Sequence, residues 1–579
     1  MASRKILNNI GHKISVGILC LLGLFAVDGI VSGYSWAQMM PKNQNHQMPS
    51  RVKIKARHPK TKINRITPQI PKANRYQKNR VFLEYADALV ADAMHPDYEI
   101  LRGHVQFRKG GMFMYCDSAF FYDKTSSLDA FGHVKMKQGD TLFVYSDVLY
   151  YNGNDELAQL RHNVKMINRD VTLITDSLDY DMVQNLGYYF DGGKIVDSKN
   201  QLSSIYGQYE PKTKNAEFLF DVQLYNKDYT LRTDTLHYNT RTHISDIVGQ
   251  TRIISDSTIV YTDKGWYNTN ADNATLFHRS LIVGKQGQKL TGDTVFYDRK
   301  KGYGEAFGNI LLTDSVHKSL LDGGYGYHNE KLHTSFATKH ARAREFSKGD
   351  TLYLHGDTLR TYLIHNDSSR ILCAYPRARF FRSNVQGLAD SMSFVQTDSM
   401  LNMYRHPIVW SDNRQITGNE INVHIADSTV DYATLPNFGL MAEKIDSTQD
   451  KYYNQLAGKE MKAYFIDGEL RKLDVSGNVQ TLFYPMENDS TYNKLVFAES
   501  SFLKVLLKPK QELEKITMWP DVSGNVTPLY LAKRSQFYLA GFKWYDSLRP
   551  KKPDDIFDTS GMGDLMSEPS ASVRHKSIK

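Results

Sequence analysis

From about Val81 onward, apolar and polar side chains alternate with a period of two, in short runs separated by polar turns. Gly103-His104-Val105-Gln106-Phe107, Gly132-His133-Val134-Lys135-Met136 and Gly308-Asn309-Ile310-Leu311-Leu312 each set apolar residues two apart. Successive side chains of a strand point to opposite faces, so this spacing predicts half-buried β-strands; the spacing of three and four expected of helices is largely missing. Leu149 and Tyr151, Leu178 and Tyr180, Leu236 and Tyr238, and Val295 and Tyr297 form a second set of same-face pairs, with Ser177, Thr235 and Thr294 pointing the other way. Runs such as Asn152-Gly153-Asn154-Asp155 and Asp191-Gly192-Gly193 supply the turns.

The second set is headed by an Asp that returns at Asp87, Asp117, Asp147, Asp176, Asp234, Asp263, Asp293 and Asp322, in steps of 30, 30, 29, 58, 29, 30 and 29. The double step hides a degenerate copy at Ile205, where Tyr209 keeps the fourth place. A fixed period of about 29–30 residues means one supersecondary unit stacked on its neighbours, so the expectation is an elongated all-β array. Aromatic residues make up 12% of the chain, which suits strands throughout. The Asp recurs less regularly at Asp357 and Asp390, and the Gly signal returns at Gly477/Val479 and Gly524/Val526. Regular repeats are therefore expected over 81–345, less regular ones over 346–545, and a disordered, Pro-, Ser- and charge-rich tail over 546–579.

The ends change the picture of charge. Arg4, Lys5 and Lys13, an apolar run from Ile14 to Val27, and Ser35-Trp36-Ala37 follow the order of a secretory signal, predicting a signal peptide over 1–37 cleaved after Ala37. The apolar run is short for a membrane span, although an uncleaved anchor is the alternative. Residues 41–80 hold 12 Lys or Arg and no acid, so 38–80 reads as a basic, Pro-containing disordered linker. The whole chain carries +9; the first 40 residues contribute +2 and the linker +12, which leaves −5 after Arg80. A basic pI would suggest nucleic acid, but the basicity sits in the linker, where an anionic membrane or plain solvation is the better reading. After the signal only Cys116 and Cys373 remain, about eight repeats apart, so no disulfide is expected.

No HExxH, GxSxG, P-loop or CxxC occurs. An Asp present once per repeat suits a turn cap, needed at every turn, better than catalysis, needed once. Asn268-Thr269-Asn270-Ala271-Asp272 resembles half a calcium loop but has Arg279 where the bidentate Glu belongs. No enzyme activity, metal or cofactor is expected.

The stretch VFLEYADALVAD, EILRGHVQFRKGGMFMYCDSAFFYD and LDAFGHVKMKQGDTLFVYSDVLYY resembles the LptA/OstA domain of lipopolysaccharide transport proteins, most strongly from Val81 to Tyr327. NQLAGKEMKAYFIDGELRKLDVSGNVQTLFY from Asn454, AESS at Ala498 and GFKW from Gly541 resemble the C-terminal part of OstA-like proteins of Bacteroidota. The resemblance implies an open β-jellyroll or solenoid whose apolar groove carries the acyl chains of lipid A across the periplasm. It implies end-to-end strand pairing with other LptA-like domains and delivery to an outer-membrane translocon, with no nucleic acid. The groove-lining candidates are Leu89, Val105, Val134, Leu149, Val164, Leu178, Tyr180, Leu236, Tyr238, Val295, Tyr297 and Ile310. The rival reading is a secreted β-solenoid scaffold or adhesin with a closed core; a β-helix enzyme acting on polysaccharide lacks a unique carboxylate cluster. In Asp-Ser/Thr context, Ser118, Ser177, Thr235, Thr294, Thr358 and Ser391 also resemble O-glycosylation sites and are expected to face outward.

Overall fold

The computed structural model describes residues 80–569 apart from 92–94, 199, 211, 285–286, 317, 347–349, 365–368, 427–428, 446–450, 487–490 and 510–512. The predicted signal peptide and nearly all of the basic linker lie outside the described residues. The described chain is almost entirely antiparallel β, as the period-two pattern requires. It divides into two compact units at Phe220/Asp221, within a strand and inside the stretch read as regular repeats.

The first unit opens with two short strands, β1 (Phe82–Tyr85) and β2 (Ala88–Ala91), both paired to β3 (Glu99–Lys109). A meander follows through β4 (Met112–Tyr122), β5 (Ser127–Gln138), β6 (Leu142–Asn152), β7 (Leu157–Asn168) and β8 (Val171–Asp181). Two such strands and their turns make one repeat. Every strand is interrupted at its middle: the register slips between Arg102 and Val105, Tyr115 and Ser118, Phe131 and Val134, Tyr145 and Val148, and Arg161 and Val164. Bulges bend strands, so the aligned row of them folds the meander into two half-sheets face to face.

The bend explains the Asp and Gly signals together. Gly103 and His104 stand at φ +74° and +44°, and Gly132 and His133 at +76° and +43°. A Cβ at Gly132 would meet Asp117 Oδ2 at 2.4 Å, and one at Gly103 would meet Asp87 Oδ2 at 2.2 Å. At these two positions backbone conformation favours glycine, and the carboxylate of Asp87 or Asp117 leaves no room for a Cβ. The next residue then binds that carboxylate: His104 Nδ1 to Asp87 Oδ2 and His133 Nδ1 to Asp117 Oδ2, both at 2.7 Å. In the following copy His162 takes the Gly place and Asn163 donates to Asp147 at 2.6 Å. The recurrent Asp therefore pins mid-strand bends and does not cap turns.

In the second unit the same arrangement continues at Gly308-Asn309, where Asn309 donates to Asp293 Oδ2 at 2.7 Å. From Asn273 many strands break at the bend into separate short strands. Asn273–Phe277 pairs with Thr294–Asp298 while Leu281–Gly284 pairs with Lys289–Thr291. Arginine replaces His or Asn at Asp357 and Asp390, partnered by Arg377 Nε at 3.0 Å and Arg405 Nη1 at 3.3 Å. Long strands return at Glu469–Phe483 and Lys494–Leu507.

The expected disordered tail is corrected over 546–569. This segment includes a 3₁₀ turn at Pro553–Phe557 and a helix at Met562–Ser567, and Met562 and Leu565 are buried with Leu388, Ile408 and Trp410. Buried polar side chains hold its backbone and the stretch before it. Gln455 donates to Phe537 O at 2.8 Å, Gln415 to Lys543 O at 2.8 Å and Arg379 to Leu548 O at 2.7 Å. Composition marked the segment as polar, but the few apolar anchors and these partners decide its fate. Asn268 Oδ1 accepts from the N–H groups of Asn270 and Ala271, so the calcium-like run is an Asx turn.

Candidate functional site

The interior of the first unit lies between its two half-sheets. One face carries Leu101, Ala119, Phe121, Leu128, Ala130, Leu149, Tyr151, Ala158, Leu160 and Leu178; the facing half carries Val105, Phe107, Met114, Val134, Met136, Val144 and Val164, all in one buried cluster. Phe107 meets Phe121 across it with ring centroids 5.4 Å apart. Inward side chains thus alternate with outward ones along each strand and make a largely apolar lining, interrupted at the bend by the buried Ser146 and Thr175. That lining is shut. Leu149, Val105 and Val164 are fully buried, and a cavity among Val81, Phe107, Met114, Met136 and Met182 is about 20 Å³, room for about one water and for no acyl chain. In the first unit the two faces therefore meet and close the interior.

One charged group borders this cavity. The Lys109 ammonium, at the end of β3, donates to the Tyr151 hydroxyl and lies 3.6 Å from Met182 Sδ and 3.9 Å from the Glu156 carboxylate. Lys109 and Tyr151 belong to opposite half-sheets, so the contact ties one to the other. Burial pulls the Lys109 pKa down, partly opposed by Glu156, and pushes the Tyr151 pKa up. Methionines dominate the surroundings: Met112, Met114, Met136 and Met182 line the cavity. Unbranched thioethers repack at low cost, which makes this the most adaptable part of the interior.

The predicted lining residues fall as follows. Val105, Val134, Leu149, Val164 and Leu178 are buried in the first unit's interior, and Tyr180 is half-buried beside them. Leu236, Val295 and Ile310 are buried in the second unit, with Tyr238 half-buried. Leu89 does not line the interior: among the described residues β2 pairs with β3 alone, and Leu89 is 52% exposed. Tyr297 is likewise at the surface, its hydroxyl reaching Glu330 at 3.0 Å. Ser177, expected outward, is fully buried. Sequence reasoning missed Lys109 and the methionines; Lys109 follows Arg108 at the end of its strand, and nothing in the sequence marks it as the inward one of the two.

Among the described residues no three His, Cys, Asp or Glu side chains gather as a metal site, and no helix is long and apolar enough to cross a membrane. Cys116 is buried and its thiol is pushed up to about 12 by burial; neither Cys116 nor Cys373 forms a disulfide.

Residues 78–234 match the family of OstA-like proteins, in line with the resemblance seen in the sequence. A solved structure with some likeness is LptH, the LptA homologous periplasmic component of the conserved lipopolysaccharide transport device from Pseudomonas aeruginosa. It is 11% identical, with a TM-score of 0.13, and the match covers 25% of this chain and 82% of that one. No curated protein matches the chain.

Proposed function

We propose that the protein is a periplasmic carrier of lipopolysaccharide, taking acyl chains between the two half-sheets while the sugars stay in water. The observation that carries this reading is the largely apolar lining of a folded, OstA-like meander, with its most adaptable residues beside Lys109. An acyl chain exposed to water costs about 0.8 kcal/mol per CH₂, so a lining that shields it supplies the whole function without bond chemistry. Because the interior is closed, loading means parting the half-sheets. Side chains that lose contact with each other gain contact with lipid, which offsets most of the cost of opening. The ligand is bound and released unchanged, and transport partners engage the open strand edges by pairing. A closed core by itself suits an inert scaffold; the OstA-like match and the methionine-lined cavity favour the carrier.

Native mass spectrometry of the full chain purified from its own cells tests the proposal. Retained lipopolysaccharide, lost on substituting Met136→Asp, is expected; a chain that never carries lipid and takes none up from added lipopolysaccharide contradicts it.

A further inference from the structure

We infer that the second unit carries, on its outer face, a binding site for an anionic saccharide, separate from the apolar interior. The site is a depression of about 380 Å³ on strands Glu460–Ile466, Glu469–Phe483, Lys494–Leu507 and Leu513–Trp519, in the size range of small-ligand sites. Two cross-strand rows build it. Lys462, Asp474 and Lys504 are register partners in one, and Glu460, Ser476, Phe502 and Trp519 in the other. Met461, Val475 and Leu503 between them also line the depression, beside Thr434, Leu435 and Pro436, and join the buried core at its floor, while Glu460, Phe502 and Trp519 are exposed, so the depression opens to the surface.

The chemistry of the two rows differs and is complementary. Phe502 and Trp519 stack at 5.5 Å and 20°, yet they are 42% and 41% exposed. This is a flat apolar platform left open to water, suited to the C–H face of a sugar ring. Beside it, Lys472 Nζ holds Asp474 Oδ2 at 2.6 Å, while Asp474 Oδ1 has no hydrogen-bond partner among the described residues. Lys462 lies over the rings of Tyr432 and Tyr464 at 4.7 and 4.9 Å, which fixes its ammonium at the rim. With Lys472 neutralised by Asp474, Lys462 and Lys504 outnumber Glu460, on a body whose net charge after Arg80 is negative. A local excess of positive charge next to an aromatic platform and hydroxyl-binding side chains fits a sugar bearing phosphate or carboxylate. Such a sugar comes either from a lipopolysaccharide headgroup or from another acidic glycan, and the assay separates the two.

The inference does not rest on lipid entering the interior. Isothermal titration of the full chain is made with three probes: the phosphorylated oligosaccharide released from lipopolysaccharide by delipidation, the same oligosaccharide after dephosphorylation, and an oligogalacturonate. Binding of the phosphorylated probe, at least tenfold weaker without its phosphates, identifies the headgroup; preference for oligogalacturonate identifies an acidic glycan. Trp519→Ala and Lys504→Gln, both surface changes checked by circular dichroism, each weaken binding at least tenfold. No binding of either acidic probe, equal binding with and without phosphate, or full binding by folded variants overturns the inference.

Discussion

The bend at Gly132 offers the sharpest test of how the repeat is built. Ala at this position faces two penalties that are separable. The first is backbone: φ is +76°, a left-handed conformation that costs an L-residue about 1–2 kcal/mol. The second is contact: the new Cβ would sit 2.4 Å from Asp117 Oδ2, and forcing that side chain off its rotamer adds about 0.5–1.5 kcal/mol. Gly139 supplies the control, because it stands at φ +59° with nothing within 4 Å of a Cβ. Gly139→Ala should therefore show the backbone penalty alone and Gly132→Ala about 0.5–1.5 kcal/mol more. Adding Asp117→Ala to Gly132→Ala removes the contact, so the double variant is less destabilised than the sum of the single ones. Native-state hydrogen exchange of β4 and β5 across urea concentrations reads these differences locally. If Gly132→Ala costs no more than Gly139→Ala, or if the two substitutions add without coupling, the Asp–Gly bend is not what fixes the fold line.

Other consequences are as specific. Leu236, fully buried, and Thr235, facing away from it, distinguish inside from outside: Leu236→Asp should abolish most lipid photolabelling and Thr235→Asp little, with equal losses refuting the face assignment. His328 is buried, and burial with Arg370 nearby holds its pKa down to about 3. Its folded pKa is below the unfolded one, so the unfolded state binds the extra proton: stability is full above pH 6.5 and falls by up to about 1.4 kcal/mol per unit as pH drops toward 3. His328→Gln should flatten that slope relative to the parent protein in urea unfolding, and an unchanged slope counts against it. Ending the chain after Arg549 removes Met562 and Leu565 from Trp410, a loss of about 1.5–3 kcal/mol for each side chain. Trp410 emission should shift to the red, and unaltered emission with unaltered stability would mean the segment does not pack there.

Much of this was legible because β periodicity and repeat length survive in single residues. Val105, Val134, Leu149 and Val164 sit inward where alternation placed them, since one buried face fixes register strongly. The partner of each Asp was harder to see. Asp117 binds His133, 16 residues on, and that link exists only once two strands lie side by side. Its sequence trace is the His or Asn that follows the bend glycine. Leu89 misled because alternation reports a face but not whether an opposing half-sheet covers it. Whether the two faces touch is a matter of shape: Phe107 against Phe121 closes the interior, and no pattern of residue types encodes a 5.4 Å approach. The segment after 545 misled for the opposite reason, a polar composition hiding Met562 and Leu565.

The central claim is that hydrocarbon enters between the half-sheets. A diazirine amino acid placed at Met136, beside the cavity, or at Tyr150, 43% exposed on the same meander, reports it directly in cells making lipopolysaccharide. Lipopolysaccharide adducts from position 136 and few or none from 150 are the predicted result. Adducts from 150 alone, or from neither, would mean that the interior stays shut and that the protein does not carry lipid there.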